Sequence, residues 1–279
     1  MSPPAPDVNV SPGERLAGKY LVTRLLGRGG MGVVVEATRI GLGERVAIKV
    51  LHERYIDNEE ARARFHHEAA AAARIRGEHS VRLLDMGMTD SGAPFLVMEL
   101  LEGADLAAIL KTGPLPPNEA LLYVLQACEG MAEVHANGIV HRDLKPANLF
   151  VTRRLDGTPL VKVLDFGIAK SALPMDDSTR AITMTLVALG TPLYMAPEQV
   201  RCSKDVDARA DVWSLGTILY EMLAGRPAFG GNSTANITAQ VLEATPATLP
   251  NVAAGLDRAV QKALAKRPEN RFVDVAAFA

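Results

Sequence analysis

The sequence predicts an α+β protein, with strands crowding the first hundred residues around one main helix and a larger, mainly helical part following. Three observations carry this prediction. β-Branched and alternating apolar runs recur early, at Val33 to Val35, Val46 to Val50 and Phe95 to Leu101, as strands with a buried face require. A stretch of good helix formers separates the second run from the third. Beyond residue 200, Asp211 to Leu223 forms an apolar run of helical length. At 279 residues and 48% hydrophobic content, the chain can bury two lobes.

The elements follow in order. Met1 to Gly13 carries Pro3, Pro4, Pro6 and Pro12 with few apolar residues, so a flexible tail is expected, drawn at residues 1–17. Tyr20 to Leu26 reads as a strand, then Gly27-Arg28-Gly29-Gly30-Met31-Gly32, then Val33 to Val35. Glycines so spaced serve hairpin turns and also the Rossmann dinucleotide fingerprint, but the latter opens a helix. Three valines in a row favour a strand, so the glycines are placed in a β-hairpin. In Val46-Ala47-Ile48-Lys49-Val50 the period of two sends Val46, Ile48 and Val50 to one face, with Ala47 and Lys49 on the other. Asp57 with Glu60 three residues on resembles a helix-capping signature and starts a helix expected from Asn58 to about Arg76. Phe95 to Leu101 reads as a buried strand entering a linker.

The densest chemistry lies in His141-Arg142-Asp143-Leu144-Lys145-Pro146-Ala147-Asn148-Leu149. A phosphoryl transfer to an alcohol needs a carboxylate that orients the hydroxyl and accepts its proton, which Asp143 can supply. Lys145 can neutralise charge on the moving phosphate, and Asn148 can offer a neutral oxygen to a hard cation such as Mg²⁺. With Ile139-Val140 before it and Leu149-Phe150-Val151 after it, the segment reads as a loop held between two short strands. Asp156-Gly157 is a hairpin signal. Val161 to Leu164 reads as a strand that delivers Asp165, followed by Phe166 and the permissive Gly167.

Taken together, these segments resemble, in order, the signature set of eukaryotic-type protein kinases: the glycine loop, Val46-Ala-Ile-Lys49, the His141-Arg-Asp loop, Asp165-Phe-Gly167 and Ala196-Pro-Glu198. The resemblance implies a bilobal fold, with a small β-rich N-lobe holding one main helix at 18–101 and a larger, mainly helical C-lobe at 102–279, cut within its last helix. It implies ATP with Mg²⁺, or Mn²⁺ in its place. Leu26, Gly27, Arg28, Gly29, Gly30, Met31, Gly32, Val34, Ala47 and Phe150 would surround the nucleotide, and Lys49 would reach its phosphates with Glu68 as ion-pair partner. Met98 would gate the adenine pocket, the backbone of Glu99 and Leu101 would bond the adenine edge, and Asp105 would contact the ribose or, alternatively, cap the helix after it. Asn148 and Asp165 would ligate the metal. Asp211 resembles the buried anchor of the catalytic loop, and Arg271 the partner of Glu198.

Regulation is implied in the same way. Thr183 and Thr185 lie between Asp165 and Ala196 and would carry phosphates that Arg142 reads. Thr191 would bond Asp143 and Lys145. Ala72, one turn after Glu68, stands where the family often has a larger residue, which costs about 0.8 kcal/mol of burial per missing methylene. A helix so weakly docked would settle against a second copy, making a homodimer the expected activating partner.

Lys145 with Gly190-Thr-Pro192 resembles the Ser/Thr branch rather than the tyrosine branch, and Asp165 to Lys170 looks bacterial. The expected activity is transfer of the γ-phosphoryl of ATP to protein Ser/Thr hydroxyls. The alternatives are a pseudokinase scaffold and a small-molecule kinase of related fold, but the first usually lacks one of the reactive groups and the second the full activation segment. A net charge of −2 gives no reason to expect nucleic acid or an anionic membrane. Two cysteines, Cys128 and Cys202, make neither a disulfide framework nor a metal site, so a cytoplasmic setting is expected. No apolar run reaches spanning length and no signal sequence opens the chain, so any membrane anchor would belong to a longer protein.

Overall fold

The computed structural model describes residues 10–29, 32–52, 59–166, 192–201 and 206–279. These fall into two compact units, one with the described residues of 10–76 and 81–102, the other with 77–80 and those of 103–279.

The first unit is a six-stranded antiparallel sheet in the order β1-β2-β3-β4-β6-β5. Its strands are β1 Arg15–Leu16, β2 Tyr20–Gly29, β3 Gly32–Arg39, β4 Arg45–Leu51, β5 Leu83–Met88 and β6 Pro94–Glu99. The period of two in Val46 to Val50 works as expected: Val46, Ile48 and Val50 are at most 1% exposed, in a cluster with Val22, Val33, Val35, Phe95 and Val97. Ala47 and Lys49 take the opposite parity. The sheet also begins earlier than the sequence suggested. Leu16 pairs with Tyr20, and both Leu16 and Val10 join the apolar cluster, so the end of the expected flexible tail is ordered by two apolar side chains that the prolines had overshadowed.

Among the described residues of this unit one helix is found, α1 Glu59–Ala72. It stops four residues short of the expected Arg76. Beyond Ala72 the bonds tighten, with Arg74 N–H on the Ala71 carbonyl at 3.1 Å and Ile75 N–H on Ala72 at 3.1 Å. This turn buries Ile75 to 3% exposure, and tertiary burial here outweighs the helix propensity of the arginines. The capping residue Asp57 lies outside the described residues.

The second unit contains a small sheet, β7 Ala104–Asp105, β8 Leu149–Arg153 and β9 Pro159–Val163. The β8–β9 connection is the hairpin that Asp156-Gly157 announced: Asp156 Oδ1 accepts from Thr158 N–H at 2.9 Å and from its hydroxyl at 2.7 Å. The helices are α2 Leu106–Leu110, α3 Pro117–Ala136, α4 Pro197–Val200, α5 Arg209–Ala224, α6 Thr234–Glu243, α7 Ala254–Ala263 and α8 Val275–Phe278. Helix α5 is the central post. Val212, Trp213, Leu215, Ile218 and Met222 are wholly buried, and the Trp213 ring stacks on Phe229 at 5.3 Å. It ends at Gly225 with φ +66°, a left-handed cap that glycine adopts without strain. Helix α3 packs on β9 and on α5, which fixes where the chain leaving its C-terminus must run.

Candidate active site

The reactive loop begins where α3 ends. Ile139 and Val140 were expected in a strand, but they join no ladder. Ile139 N–H returns to the Val134 carbonyl at 3.2 Å, and the two peptide N–H groups after Val140 go to a side chain instead. His141 N–H donates to Asp211 Oδ2 and Arg142 N–H to Asp211 Oδ1, each at 2.9 Å. Asp211 is fully buried in the first turn of α5, and its carboxylate also accepts from His135 Nε2 at 2.8 Å. A buried carboxylate with three N–H donors is satisfied, and it does for this loop what a neighbouring strand would have done.

His141, itself fully buried, continues the chain of bonds. Its Nε2 lies 2.8 Å from the Leu164 carbonyl, and its Nδ1 accepts Asp143 N–H at 3.3 Å. The two contacts together require the tautomer protonated on Nε2. The edge of its ring meets Phe166 at 6.3 Å between centroids, so Phe166, 5% exposed, covers the loop from the side of Asp165.

The functional groups sit on this base. Lys145 Nζ is 3.1 Å from Asp143 Oδ2, the two side chains being 30% and 11% exposed. A single 3-10 turn at Pro146–Asn148 follows, and Asn148 Nδ2 donates to the Asp143 carbonyl at 2.8 Å. With its N–H so engaged, the Asn148 amide has Oδ1 to offer a cation. Leu164 N–H then donates to the Asn148 carbonyl at 2.8 Å, bringing the end of β9 against the loop just before Asp165. Asp165 takes φ +56°, a conformation that a side chain rarely adopts and that aims it differently from a strand residue. An amide oxygen and a carboxylate are the hard donors that Mg²⁺ takes, so the residues present fit that ion.

The remaining predicted residues are placed as follows. Leu26, Gly27, Arg28 and Gly29 form the end of β2, paired with β3 up to Gly29 opposite Gly32; Gly30 and Met31 lie outside the described residues. Gly27, Gly29 and Gly32 thus stand in paired antiparallel strands, not before a helix. A Cβ at Gly32 would overlap the Val50 carbonyl, so this position admits no side chain without a shift. Val34 is opposite Lys49, and Ala47 is opposite Met98. Glu99 ends β6, and Leu101 follows it. Glu68 is in α1, its side chain outside the described residues.

Phe150 pairs with Asp105 across β7 and β8. Asp105 caps α2, its Oδ1 accepting Ala108 N–H at 2.8 Å, so the cap alternative holds for that oxygen. Thr183, Thr185, Thr191 and Cys202 lie outside the described residues. Burial pushes the Cys128 thiol up to about 12, which keeps it inert at neutral pH.

Arg142, expected to read phosphates at Thr183 and Thr185, donates to the Val206 carbonyl at 3.2 Å. The expected clamp is present: Arg271 meets both oxygens of Glu198 at 2.7 Å. Two contributors were missed. His135 joins the Asp211 cluster, and Gln199 Nε2 donates to the Arg142 carbonyl at 2.9 Å. Neither belongs to a motif, and both act on groups far away in sequence. The one local hint was the three-residue spacing of Gln199 from Ala196, whose N–H its Oε1 accepts at 3.0 Å.

The fold and this loop define a class: the chain belongs to the protein kinase family, whose domain matches residues 20–274. Its relatives place it among the eukaryotic-like serine/threonine kinases of bacteria. It is 43% identical to the serine/threonine-protein kinase Pkn1 of Myxococcus xanthus over 94% of this chain and 37% of that one. It is 40% identical to PknB of Mycobacterium leprae over 92% and 41%. Among solved structures, it superposes on the PknI kinase domain of Mycobacterium tuberculosis with a TM-score of 0.72 at 28% identity, covering 97% of each chain. The chain spans between 37% and 51% of the length of the first two curated relatives. Among the described residues no helix is long and apolar enough to cross a membrane.

Proposed function

We propose that this protein is an active serine/threonine protein kinase that transfers the γ-phosphoryl of ATP to Ser or Thr hydroxyls of protein substrates. The observation that carries the reading is the Asp143–Lys145 pair at 3.1 Å, set on a loop whose peptide groups are tied to a buried carboxylate. In this reading Asp143 orients the hydroxyl and accepts its proton, while Lys145 neutralises the phosphoryl oxygens. Asn148 and Asp165 hold Mg²⁺, with Mn²⁺ as a substitute; the bound ion neutralises charge on the β- and γ-phosphates. Lys49 with Glu68 serves the α- and β-phosphates, and Leu26 to Gly32, Val34, Ala47, Met98, Glu99, Leu101, Asp105 and Phe150 serve the nucleotide. Residues 18–101 make the N-lobe and 102–279 the C-lobe.

The presence in one chain of Lys49, Glu68, Asp143, Lys145, Asn148 and Asp165, together with relatives named as serine/threonine-protein kinases, favours the enzyme over a pseudokinase scaffold. Thr183 and Thr185 are assigned as autophosphorylation sites, a second copy of the chain as activating partner, and the cytoplasm as its place. Radiolabel transfer from ATP with Mg²⁺ to a generic protein substrate tests the core of this. Asp143→Asn should reduce kcat by about 10²- to 10⁴-fold with little change in the KM for ATP. A wild-type protein that binds nucleotide but transfers nothing would return the scaffold reading.

A further inference from the structure

Arg142 is one of three non-glycine residues with positive φ among those described, at +59°, and it immediately precedes the proposed base. Such a conformation persists when neighbouring groups over-determine it. Here the groups are on both sides of the residue. Arg142 N–H is held by Asp211 Oδ1 at 2.9 Å, and its carbonyl by Gln199 Nε2 at 2.9 Å. The next N–H, that of Asp143, is held by His141 Nδ1 at 3.3 Å. The peptide joining Arg142 to Asp143 is therefore bonded at its oxygen by Gln199 and at its nitrogen by His141.

The far end of Gln199 is equally fixed. Its Oε1 accepts Ala196 N–H at 3.0 Å, and the adjacent Glu198 is clamped by Arg271 through two bonds of 2.7 Å. Arg271 in turn donates to the carbonyls of Ala265 at 2.8 Å and Arg209 at 3.0 Å. One primary amide thus spans from a segment locked to the helical core to the peptide that carries Asp143. We propose that Gln199 is a positioning residue for phosphoryl transfer, setting the orientation of Asp143 by fixing the carbonyl of the residue before it. The inference deepens the kinase reading and rests on it.

The chemistry is specific to the amide. Both contacts need one side chain that donates and accepts at once, at a length of four heavy atoms beyond Cα. Lysine or arginine would lack the acceptor, and a carboxylate would turn an anionic oxygen toward the Arg142 carbonyl. Glutamate protonated on that oxygen, by contrast, would again donate. Rotation of this peptide would also displace the Asp143 carbonyl, on which Asn148 Nδ2 rests at 2.8 Å, so base and metal ligand would be disturbed together.

The test compares Gln199→Glu and Gln199→Met with the wild-type chain, measuring kcat and KM for ATP across pH together with amide hydrogen exchange of residues 141–149. Gln199→Glu keeps the acceptor for Ala196 N–H, so the melting temperature should hold while kcat at pH 8 falls by about 10- to 100-fold, with KM for ATP within about twofold. The ratio of wild-type to variant kcat should shrink as pH falls toward 5.5 for Gln199→Glu and stay constant for Gln199→Met. Exchange at residues 141–149 should quicken in both variants. Wild-type kcat in Gln199→Glu at pH 8, or a loss explained wholly by unfolded protein, would overturn the proposal. A wild-type protein without transferase activity would sink the kinase reading alone. The exchange data would then decide this inference: unchanged protection at residues 141–149 overturns it, and lost protection sustains the positioning contact.

Discussion

Two buried carboxylates, one in each unit, make an instructive pair. Glu36, on β3, is 4% exposed and accepts the guanidinium Nε of Arg24 at 2.8 Å and of Arg45 at 2.9 Å. Asp211, on α5, is wholly buried and accepts two peptide N–H groups and one imidazole. The donors to Glu36 are the ends of long side chains, 62% and 54% exposed, that close over the sheet surface and leave the backbone as the strands already set it. Two of the three donors to Asp211 are the backbone of the reactive loop itself. A carboxylate that binds peptide groups dictates a conformation; one that binds arginine tips only fastens side chains.

This contrast predicts unequal consequences. Asp211→Ala orphans the peptide N–H groups of His141 and Arg142 and the His135 ring, at about 1–3 kcal/mol for each unmatched buried group. Chemical denaturation should show a loss of roughly 3–5 kcal/mol, and kcat should fall by about 100-fold or more in the folded fraction. Wild-type kcat with only stability lost would mean that the loop holds its shape without its anchor, and the contrast would dissolve.

Next in size is Arg271→Met. Its guanidinium is fully buried against Glu198, itself 11% exposed, so the substitution leaves a carboxylate without its counter-charge at a cost of about 3 kcal/mol. Adding Glu198→Gln should restore part of the loss, since the stranded charge disappears. If the double variant were no more stable than the single one, the cost would lie in the lost carbonyl contacts of Arg271 rather than in the pair.

Glu36→Gln should be far milder, within about 1 kcal/mol, as for pairs whose partners face solvent. The bond from Arg45, with further help from its charge and from Arg24, holds the Glu36 carboxyl below its ordinary value of 4.5. A lowered acid contributes stability above its unfolded value and loses it as pH falls through the folded one. The deficit of Glu36→Gln relative to wild type should therefore be constant at neutral pH and shrink below about pH 4.5. A deficit that persisted unchanged at pH 3 would show that packing, not charge, sets it.

The sequence made the parts that obey local rules legible. Alternation in Val46 to Val50 located the buried face because a strand repeats every two residues. The groups of Asp143, Lys145 and Asn148 stood out because few folds need that chemistry within six positions. Illegible were the features decided by distant partners. Ile139-Val140 looked like a strand, but the bonds after it go to Asp211, 70 residues from His141. Gln199 and His135 act on a carbonyl and a carboxylate that no local pattern ties to them. The end of α1 at Ala72 rather than Arg76 was set by burial of Ile75, which propensity cannot foresee.

A last case is a cation placed midway between the two. Lys266 Nζ donates to the Val241 carbonyl at 2.7 Å and lies 4.1 Å from the centroid of Phe229 and 4.8 Å from that of Trp213. Like Asp211 it is tied to backbone, yet like the donors to Glu36 it keeps part of its side chain in solvent. Partial burial, followed by the neighbouring charges of Arg271 and Arg201, lowers its ammonium from 10.5 to about 8, against the pull of ring faces and carbonyls that favour the cation. A lowered base is charged at a disadvantage in the folded state below about pH 8, and the unfolded chain holds its proton up to about pH 10.5. Between those values the unfolded state binds more protons, so stability rises with pH. Urea denaturation of wild type and Lys266→Met at pH 6, 7, 8, 9 and 10 isolates the contribution. Wild type should gain on the variant as pH climbs through that window, with no relative change between pH 6 and 7. A parallel pair of profiles would mean that the aromatic faces and the carbonyls stabilise the ammonium as well as water does, and would move Lys266 to the side of Asp211, where buried polar groups are fully matched.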